Sequence, residues 1–571
     1  MASALPHPPY TVKLLGYKRV LLKMRFIKTV ALLFALLEAQ NLAAQSTALL
    51  KSLQKPLDKV SAAEYKAHVQ YLADDKLQGR LPGTAGYQMA VDYVVAQYKK
   101  LGVLPAGENG TYLQTVRLRR AFTEPGATLR LQAPQGAEQA LAYGSDFTFY
   151  PNPAEASTTV AAPLVFAGFG ISAPELGYDD YAGLDATGKI VVVTREEPKQ
   201  FPDAVRLYNT DMLTVLQTAI RHGAVGVLLA AVKPAAHLPD PPKGVVSVLS
   251  TDGKAIVSRT YGGAQLRVLG TVSAATLHQL FSGAATDTTR ALAALRAGKP
   301  ASVALRPRLT ATQRSRYQDV DSYNVVGKIQ GSDPKLRNEY VVHTAHLDHL
   351  GVGAAVEGDS IYNGAHDNAT GVASLLEIAR VYSCLQEKPR RSVLITMVTG
   401  EEMGLLGSAY FARNPTVPKS QIVADINTDM PTIIAPLLSV VALGAENSTL
   451  AAPVAEATKT LSLTVEADPE PAQNRFTRSD QYSFVTQGIP ALHIKYGNKT
   501  ADGQNNLNLQ VQKWRARYYH KPQDGMDGQF DFEAGRKYAQ LNFLIGYLVA
   551  NNPARPTWNT GNFFGERFAK K

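Results

Sequence analysis

Histidine and carboxylate side chains stand where two apolar runs of the sequence end. A valine-rich run ends in His346 and Asp348, and the run 392–399 is followed by Glu401 and Glu402. The carboxyl ends of neighbouring strands meet at one edge of an open α/β sheet, where such proteins place their sites. Histidine and carboxylates gathered there are typical of a metal site with its own base. Asp348 is expected to orient the His346 ring.

Three further candidates lie outside these two runs. Asp367 directly precedes a helical pattern, where the positive end of the helix dipole favours a carboxylate. Asp429 ends a third apolar run, and His520 lies far down the chain in the segment YYHKPQD. Adjacent side chains diverge in extended chain, so one glutamate of the pair can bind metal while its neighbour acts on water. Three more histidines are interpreted as packing residues or as supports for the ligands: His343, His349 and His366.

Five short segments carry a family resemblance: AHLDHLG, NGAHDNATG, TGEEMGLLGS, NTDMP and YHKPQD. They resemble the co-catalytic zinc aminopeptidases, typified by the bacterial double-zinc leucyl aminopeptidase and related to glutamate carboxypeptidase II and transferrin receptor. The resemblance covers about residues 60–550, because LADDKLQGRLPGTAGY and LGVLPAGENGTYLQ are similar to the leading segment of that family. The stretch VFAGFGISAPELGYDDYAGLDATGKIVVV resembles its protease-associated insert.

The resemblance implies two Zn²⁺ ions per chain and a role for each candidate. The implied ligands are His346 and Asp429 on one ion, Glu402 and His520 on the other, and Asp367 bridging both. Glu401 would be the general base, and Tyr519 would steady the oxyanion. The sequence departs from the family at two positions: His366 replaces an acid, and Gln481 stands where many members have histidine. Neither is expected to be a ligand, so the departures concern the pocket and not the metal site.

The alternation of strand and helix patterns predicts an α/β fold with a mainly parallel central sheet and helices on both faces. By resemblance this is the zinc exopeptidase fold with a β-rich inserted protease-associated domain. Strands are predicted at 339–346, 391–399, 421–428 and 490–496, and helices at 62–73, 86–101, 368–382, 403–413, 447–463 and 532–550. The predicted segments are an extension with signal peptide at 1–44, a catalytic domain at 45–159 and 306–552, the insert at 160–305, and a tail at 553–571.

Charge and composition exclude some classes of protein. The net charge is +11, but residues 1–44 hold six lysines and arginines and one acid, so the remainder carries only +6. No basic stripe alternates with aromatic residues, so a nucleic-acid partner is not predicted. The one cysteine, Cys384, excludes an intrachain disulfide and a cysteine-ligated metal cluster. It is expected to be a buried apolar residue.

The first residues predict export. From Met24, the basic segment MRFIK precedes the apolar TVALLFALL, and small residues follow up to Gln45. This order is typical of a signal peptide, and the apolar core is too short to span a membrane stably. We therefore expect the natural start at Met24, a mature protein beginning near Gln45 in the periplasm or medium, and no stable membrane insertion after signal removal. An N-terminal anchor that is never cut is the alternative.

The predicted function is an exported metallo-aminopeptidase that removes N-terminal residues of peptides with a water activated by two metals. A glutamate-releasing carboxypeptidase is one alternative, with Arg475 and Arg478 as candidates for binding the terminal carboxylate. A receptor-like binding protein on the same scaffold is another, but it would be expected to have lost the ligands. Glutaminyl cyclisation on a single zinc is the third, and the intact set of two-metal ligands argues against it.

Overall fold

The structure is a computed structural model that describes residues 53–134, 136, 138–234, 238, 244–256 and 258–569. The predicted signal peptide and start site lie outside these residues. The chain divides into two compact units, Met1–Lys59 and Val60–Lys571. The described part of the first unit contains a short helix, α1 (Gln54–Leu57). Everything below concerns the second unit.

The second unit contains strands and helices in alternation. Its strands are β1 (Leu104–Pro105), β2 (Leu113–Thr123), β3 (Thr128–Gln132), β4 (Glu138–Leu141), β5 (Phe147–Phe149), β6 (Ser157–Phe166), β7 (Ser172–Ala173), β8 (Tyr178–Asp179), β9 (Ile190–Thr194), β10 (Gly226–Ala230), β11 (Val245–Val248), β12 (Val268–Val272), β13 (Val303–Ile329), β14 (Tyr340–His346), β15 (Gly351–Val356), β16 (Asp359–Tyr362), β17 (Ser392–Val398), β18 (Ile422–Asn427), β19 (Ser439–Leu443), β20 (Thr464–Val465) and β21 (Ala491–Tyr496). Its helices are α2 (Ala62–Leu72), α3 (Ala85–Leu101), α4 (Asp203–Thr210), α5 (Met212–Arg221), α6 (Ala274–Leu280), α7 (Thr288–Arg296), α8 (Thr370–Cys384), α9 (Leu406–Arg413), α10 (Ala451–Thr460), α11 (Gln481–Val485), α12 (Leu507–Tyr518), α13 (Phe532–Asn551) and α14 (Phe563–Phe568).

The central sheet has a parallel core with antiparallel edges. Its order is β11, β2, β13, β17, β14, β18, β21, β19 and β20, and the four strands β17, β14, β18 and β21 run parallel. The carboxyl ends of these four strands therefore share one edge of the sheet. The predicted α/β fold with a mainly parallel central sheet is confirmed, and all four predicted strands are present with bounds that differ by at most one residue.

Both faces of the central sheet are covered by helices, as predicted. Val342 of β14 packs in one cluster with Phe411 of α9 and Phe484 of α11. The next residue, His343, points to the other face, where its Nε2 lies 3.3 Å from the hydroxyl of Tyr382 in α8. A strand with helices on both faces is apolar along its whole length, which explains the continuous valine run before the site.

A second sheet is inserted in the chain between two paired residues of the central sheet. The central sheet pairs Thr123 of β2 with Ser315 of β13. The chain between these two residues builds the insertion, and of the strands described there only β11 returns to pair with β2 in the central sheet. Its strand order is β4, β3, β13, β6, β9, β10, β12 and β5, around an apolar core of its own. Strands β3 to β5 precede the predicted boundary at residue 160, which itself falls inside β6. The interpretation of this region as a protease-associated domain stays a prediction.

The exposure of Cys384 differs from the expectation. The thiol is exposed at the last position of α8, whereas Val381 and Tyr382 of the same helix are buried. Cys384 lies about 200° round the helix from Tyr382 and therefore faces away from the sheet. Within the described part of the chain, no helix is long and apolar enough to cross a membrane.

Candidate metal centre

Three candidate ligands converge at the carboxyl ends of β14 and β18. The Nε2 atom of His346, the last residue of β14, is 3.2 Å from Oδ1 of Asp367 and 3.5 Å from Oδ1 of Asp429. The buried His346 ring donates its Nδ1–H to the backbone carbonyl of Asp348 at 3.1 Å. This bond leaves Nε2 to face the carboxylates, which is the arrangement a metal-binding histidine requires.

A second group of ligands shares Asp367 with the first. The Nε2 atom of His520, in the loop after α12, is 3.2 Å from Oδ2 of Asp367 and 3.2 Å from Oε2 of Glu402. The two oxygens of Asp367 therefore face different histidines, as a bridging carboxylate must. The structure brings together all five ligands that the family resemblance implies.

His349 approaches the same carboxylates more closely than the sequence suggests. Its Nδ1 lies 2.7 Å from Oε1 of Glu402, and the His349 ring is buried. The ligand atoms of His349, Asp367 and Glu402 all lie within 4.8 Å of one another. The expectation that His349 packs or supports a ligand is compatible with this contact. His349 is therefore an alternative to His520 as the histidine that binds metal together with Asp367 and Glu402.

The residues fit a zinc centre. Every donor is an imidazole nitrogen or a carboxylate oxygen, both of which zinc accepts. Ligands about 2.1 Å from one tetrahedral zinc ion lie roughly 3.4 Å from each other. The nitrogen–oxygen separations of His346 and His520 from their carboxylates are 3.2–3.5 Å. The spacing of the donors therefore matches the spacing that bound zinc would impose.

Positive neighbours keep two of the carboxylates ionised. Burial by itself would raise the pKa of Asp367, but hydrogen bonds from His346 and His520 hold it well below its usual range. Burial likewise opposes ionisation of Asp429, and the His346 hydrogen bond and the charge of Lys495 hold its pKa below the ordinary value. The Lys495 ammonium donates to the carbonyl of Asp429 at 2.8 Å, which fixes the loop that carries this ligand.

Glu401 faces a pocket beside the candidate metal centre, where its environment is strongly negative. Its side chain lines the same pocket as Asp367 and Asp429, while Glu402 turns toward the histidines. Burial raises the pKa of Glu401 well above its ordinary value; His346 opposes that rise and the charge of Glu402 adds to it. The two neighbouring glutamates thus diverge, as expected for extended chain.

Asp348 connects the two strand ends that form the site. Its carboxylate accepts the backbone N–H of Glu401 at 3.2 Å and that of Glu402 at 3.4 Å. The expected contact with His346 is made by the backbone carbonyl of Asp348, because the carboxylate oxygen is 4.0 Å from the ring nitrogen. Asp348 therefore positions both the histidine and the glutamate pair.

Tyr519 lies beside the ligands with its hydroxyl available. Its ring stacks on His520 with centroids 3.8 Å apart. The guanidinium of Arg515, a residue of α12, lies 3.6 Å from the centroid of the Tyr519 ring. Among the described residues, none forms a hydrogen bond with the Tyr519 hydroxyl. Burial raises the pKa of Tyr519 well above its ordinary value, so the hydroxyl stays protonated and can donate.

Asp524 is a positioning residue that the sequence analysis missed. Its carboxylate accepts the backbone N–H groups of His366 at 3.0 Å and of Asp367 at 3.1 Å. It follows His520 by four residues in the same segment, so it ties the loop of one ligand to the backbone of another. Its position inside the quoted motif YHKPQD was the available signal. His366 stacks on Phe530 with centroids 4.2 Å apart and acts in packing, as predicted.

Arg80 is a second positioning residue that the sequence analysis missed. Its buried guanidinium donates to the carbonyls of Leu347 at 2.9 Å, Asn363 at 2.6 Å and Gly364 at 3.0 Å. These carbonyls stand on either side of the β15–β16 hairpin that separates His346 from Asp367. Arg80 therefore holds together the two ends of the segment that carries both ligands.

Gln481 and His343 have structural contacts, as expected for residues that do not bind metal. The Gln481 side chain accepts from the amide of Asn427 at 2.8 Å and donates to the carbonyl of Phe476 at 2.6 Å. His343 is buried against Tyr382 on the face of the sheet that carries α8. Both side chains are therefore occupied by packing and hydrogen bonding within the fold.

The fold is α/β, and its donor set could hold metal ions at the carboxyl edge of the central sheet. Residues 324–542, which contain every candidate ligand and Glu401, match the model of Peptidase family M28. This segment is therefore similar to the M28 peptidases. The resemblance to zinc aminopeptidases is confirmed at the level of the family.

Individual relatives match parts of the chain. Leupeptin-inactivating enzyme 1 of Streptomyces exfoliatus is 27% identical over 263 residues, which are 43% of this chain and 53% of that enzyme. A probable zinc metalloprotease of Pyrenophora teres f. teres is 33% identical over 107 residues, 19% of this chain and 21% of that protein. The chain thus spans about half the length of the first relative and about a fifth of the second. The solved aminopeptidase from Aneurinibacillus sp. strain AM-1 covers 87% of this chain and 96% of its own, at 20% identity and a TM-score of 0.48.

Proposed function

We propose that the protein is an exported, two-zinc aminopeptidase that hydrolyses the N-terminal peptide bond of its substrates. The observation that carries the proposal is the shared Asp367, whose two oxygens face His346 and His520 at 3.2 Å each. A carboxylate placed between two histidines, each with a further carboxylate of its own, supports a pair of neighbouring metal positions. Glu401 stands on the pocket side of this pair.

The chain's own residues supply a base and a hydrogen-bond donor. Bound zinc would lower the pKa of a coordinated water and polarise the substrate carbonyl. Glu401, which faces the pocket beside Asp367, accepts the proton of the attacking water and passes it to the leaving amine. The protonated hydroxyl of Tyr519 donates to the oxygen that becomes negative as the carbonyl is attacked.

The carboxypeptidase alternative has partial support in the pocket. Arg478 and Arg515 line the pocket, and among the described residues neither forms an ion pair. Arg475, the other candidate from the sequence, is already paired with Asp468. A terminal carboxylate could therefore be bound by Arg478 or Arg515, which keeps the carboxypeptidase as the second candidate.

A matched set of peptides tests the direction of cleavage. The zinc-loaded protein is given a free dipeptidyl anilide, its N-acetylated form, and an N-acetylated peptide ending in glutamate. An aminopeptidase hydrolyses the first and loses activity on both acetylated substrates, because the free amine is part of what it binds. Release of glutamate from the acetylated peptide at a comparable rate would replace the proposal with the carboxypeptidase. No hydrolysis of any substrate with two zinc ions bound would overturn both.

Export is the part of the proposal that rests on the sequence alone. Its support is the basic segment followed by a short apolar core that begins at Met24. Native protein recovered from the producing cells should begin near Gln45 and should be found in the periplasm or medium. N-terminal sequencing that found residues 1–23 still attached would contradict this.

A further inference from the structure

A second cavity, of about 270 Å³, is lined by none of the five candidate ligands and not by Glu401. One wall comes from the insertion between β2 and β13, through α4, α5 and the segment around Arg259. The opposite wall comes from α9 and α11, which pack on the central sheet, and from α14. The cavity therefore lies between two structurally distinct parts of one compact unit, a frequent location for ligand sites.

Positive charge dominates the lining of this cavity. Four arginines and one carboxylate line it: Arg221, Arg259, Arg413, Arg567 and Asp211. Arg259 and Asp211 form an ion pair at 2.8 Å and so largely neutralise each other. The remaining three arginines form no ion pair with any residue that the structure describes. The cavity thus carries three uncompensated guanidinium groups.

Arg413 is the most buried of these three arginines. It is the last residue of α9 and is half-buried, and burial lowers the pKa of its guanidinium. Within the described ranges, its guanidinium has no hydrogen-bond partner, although a guanidinium carries five donors. The guanidinium therefore has donors that no acceptor of the described chain satisfies. An anion in the cavity would supply the missing acceptors.

Aromatic rings accompany the arginines. Tyr208, Tyr410 and Tyr482 line the cavity, and the Tyr208 hydroxyl already accepts from Arg567 at 2.8 Å. Guanidinium groups bind carboxylate, sulfonate or phosphate oxygens in pairs, while tyrosine rings pack against planar apolar groups. The volume is close to the lower end of the range for small-molecule sites, roughly 300 Å³, so a large polymer would not fit.

We propose that this cavity is a binding site for a small organic anion with a planar apolar part, held by Arg413 and Arg221 and separate from the metal centre. The site binds its ligand whether or not a peptide occupies the metal centre, so the proposal stands independently of the peptidase function.

Calorimetric titration of the zinc-loaded protein with 2-naphthalenesulfonate tests the site, because a sulfonate is a poor zinc ligand. Saturable binding of one molecule per chain is expected, and the uncharged naphthalene-2-sulfonamide should bind at least about tenfold more weakly, because it lacks a charge-assisted partner for the guanidinium. Arg413→Gln should weaken sulfonate binding by about tenfold or more. Arg221→Gln gives the same test at an exposed position, in case Arg413→Gln fails to fold.

Arg517→Gln is the matched control, because Arg517 is an exposed arginine on α12 that does not line the cavity. Its sulfonate affinity should equal that of the wild type. The proposal fails if the sulfonate does not bind saturably, or if Arg413→Gln and Arg221→Gln both bind it as well as Arg517→Gln does. It also fails if the sulfonate competes with a peptide substrate, since that would locate it at the metal centre.

Discussion

At the scale of single residues, the structure separates two neighbouring glutamates by the directions of their side chains. Glu401 lines the pocket, whereas Glu402 contacts His349 at 2.7 Å and His520 at 3.2 Å. Glu401→Gln keeps the shape of the side chain but removes the base, whose contribution to rate is typically about 10²–10⁴-fold. We expect that variant to retain metal while kcat collapses.

Glu402→Gln is the matched partner of that variant. It should lose metal from one position, and excess zinc should partly restore its activity. The measurement is metal content and kcat for both variants under the same conditions. Loss of metal from Glu401→Gln with retention in Glu402→Gln would reverse the two roles, and a fully active Glu401→Gln would contradict the mechanism.

The two histidines beside Glu402 give a second prediction. His520 faces both Asp367 and Glu402 at 3.2 Å, whereas His349 contacts Glu402 alone at hydrogen-bond distance. We therefore expect His520→Ala to lower occupancy of one metal position, while His349→Ala keeps both ions and loses activity through misplacement of Glu402. Metal analysis after dialysis distinguishes them. If His349→Ala loses an ion and His520→Ala does not, His349 is the ligand.

At the scale of elements, Arg80 holds the β15–β16 hairpin against the rest of the site. Lysine offers three donors on a flexible stem and cannot reproduce the planar fork of arginine. Arg80→Lys should lose two or more hydrogen bonds from a charged group, a destabilisation of about 3 kcal/mol. It should also weaken zinc binding, because His346 and Asp367 lie at the two ends of the segment it fixes.

Urea unfolding and zinc titration of Arg80→Lys measure both effects. Arg337→Lys is the control, because Arg337 is exposed and its side chain makes no hydrogen bond or ion pair within the described chain. Equal stability of the two variants would show that the carbonyl contacts of Arg80 contribute little.

The insertion between β2 and β13 contains a buried acid, Asp180 after β8, that makes the stability of the protein depend on pH. Asp180 accepts the backbone N–H of Phe169 at 3.0 Å, yet burial raises its pKa to about 7. The folded protein therefore holds this proton more tightly than the unfolded chain, whose aspartate pKa is about 3.9. The resulting stability is complete below about pH 4 and is lost as the pH rises through about 7.

Asp180→Asn removes this dependence. Between about pH 5 and pH 8, the unfolding temperature of the wild type should fall relative to that of Asp180→Asn. Asp179→Asn, next to it in the chain and less buried, should behave as the wild type does. Parallel pH profiles for the wild type and Asp180→Asn would contradict a raised pKa at Asp180.

At the scale of the whole molecule, metal binding should stabilise the protein without being required for its fold. The candidate ligands lie at one edge of the central sheet, and the second sheet has its own apolar core. Chelation should lower the unfolding temperature, because zinc at about 1,000 times its Kd stabilises by roughly 4 kcal/mol per site. The far-ultraviolet circular dichroism should remain. Loss of secondary structure on chelation, or no change in unfolding temperature, would contradict this.

Strands were predicted correctly where the apolar character of the local sequence was enough to identify them. Strands buried on both faces are continuously apolar, so β14, β17, β18 and β21 were predicted to within one residue. Helix α12 was missed because only Leu507, Val511 and Trp514 of its twelve residues are buried. The β15–β16 hairpin was missed as well, because most of its residues face solvent and show no alternation of apolar and polar positions.

The sequence by itself determined which chemical groups stand at the ends of the parallel strands, because strand order along the chain and periodicity are local properties. His346, Glu401 and Asp429 follow from that pattern, and the family resemblance adds the roles. Only the tertiary structure decided which side chains meet. His349 and Glu402 are 53 positions apart, and Arg80 and Gly364 are 284 apart. Contacts over such distances depend on how elements pack, and no periodicity in the sequence encodes them.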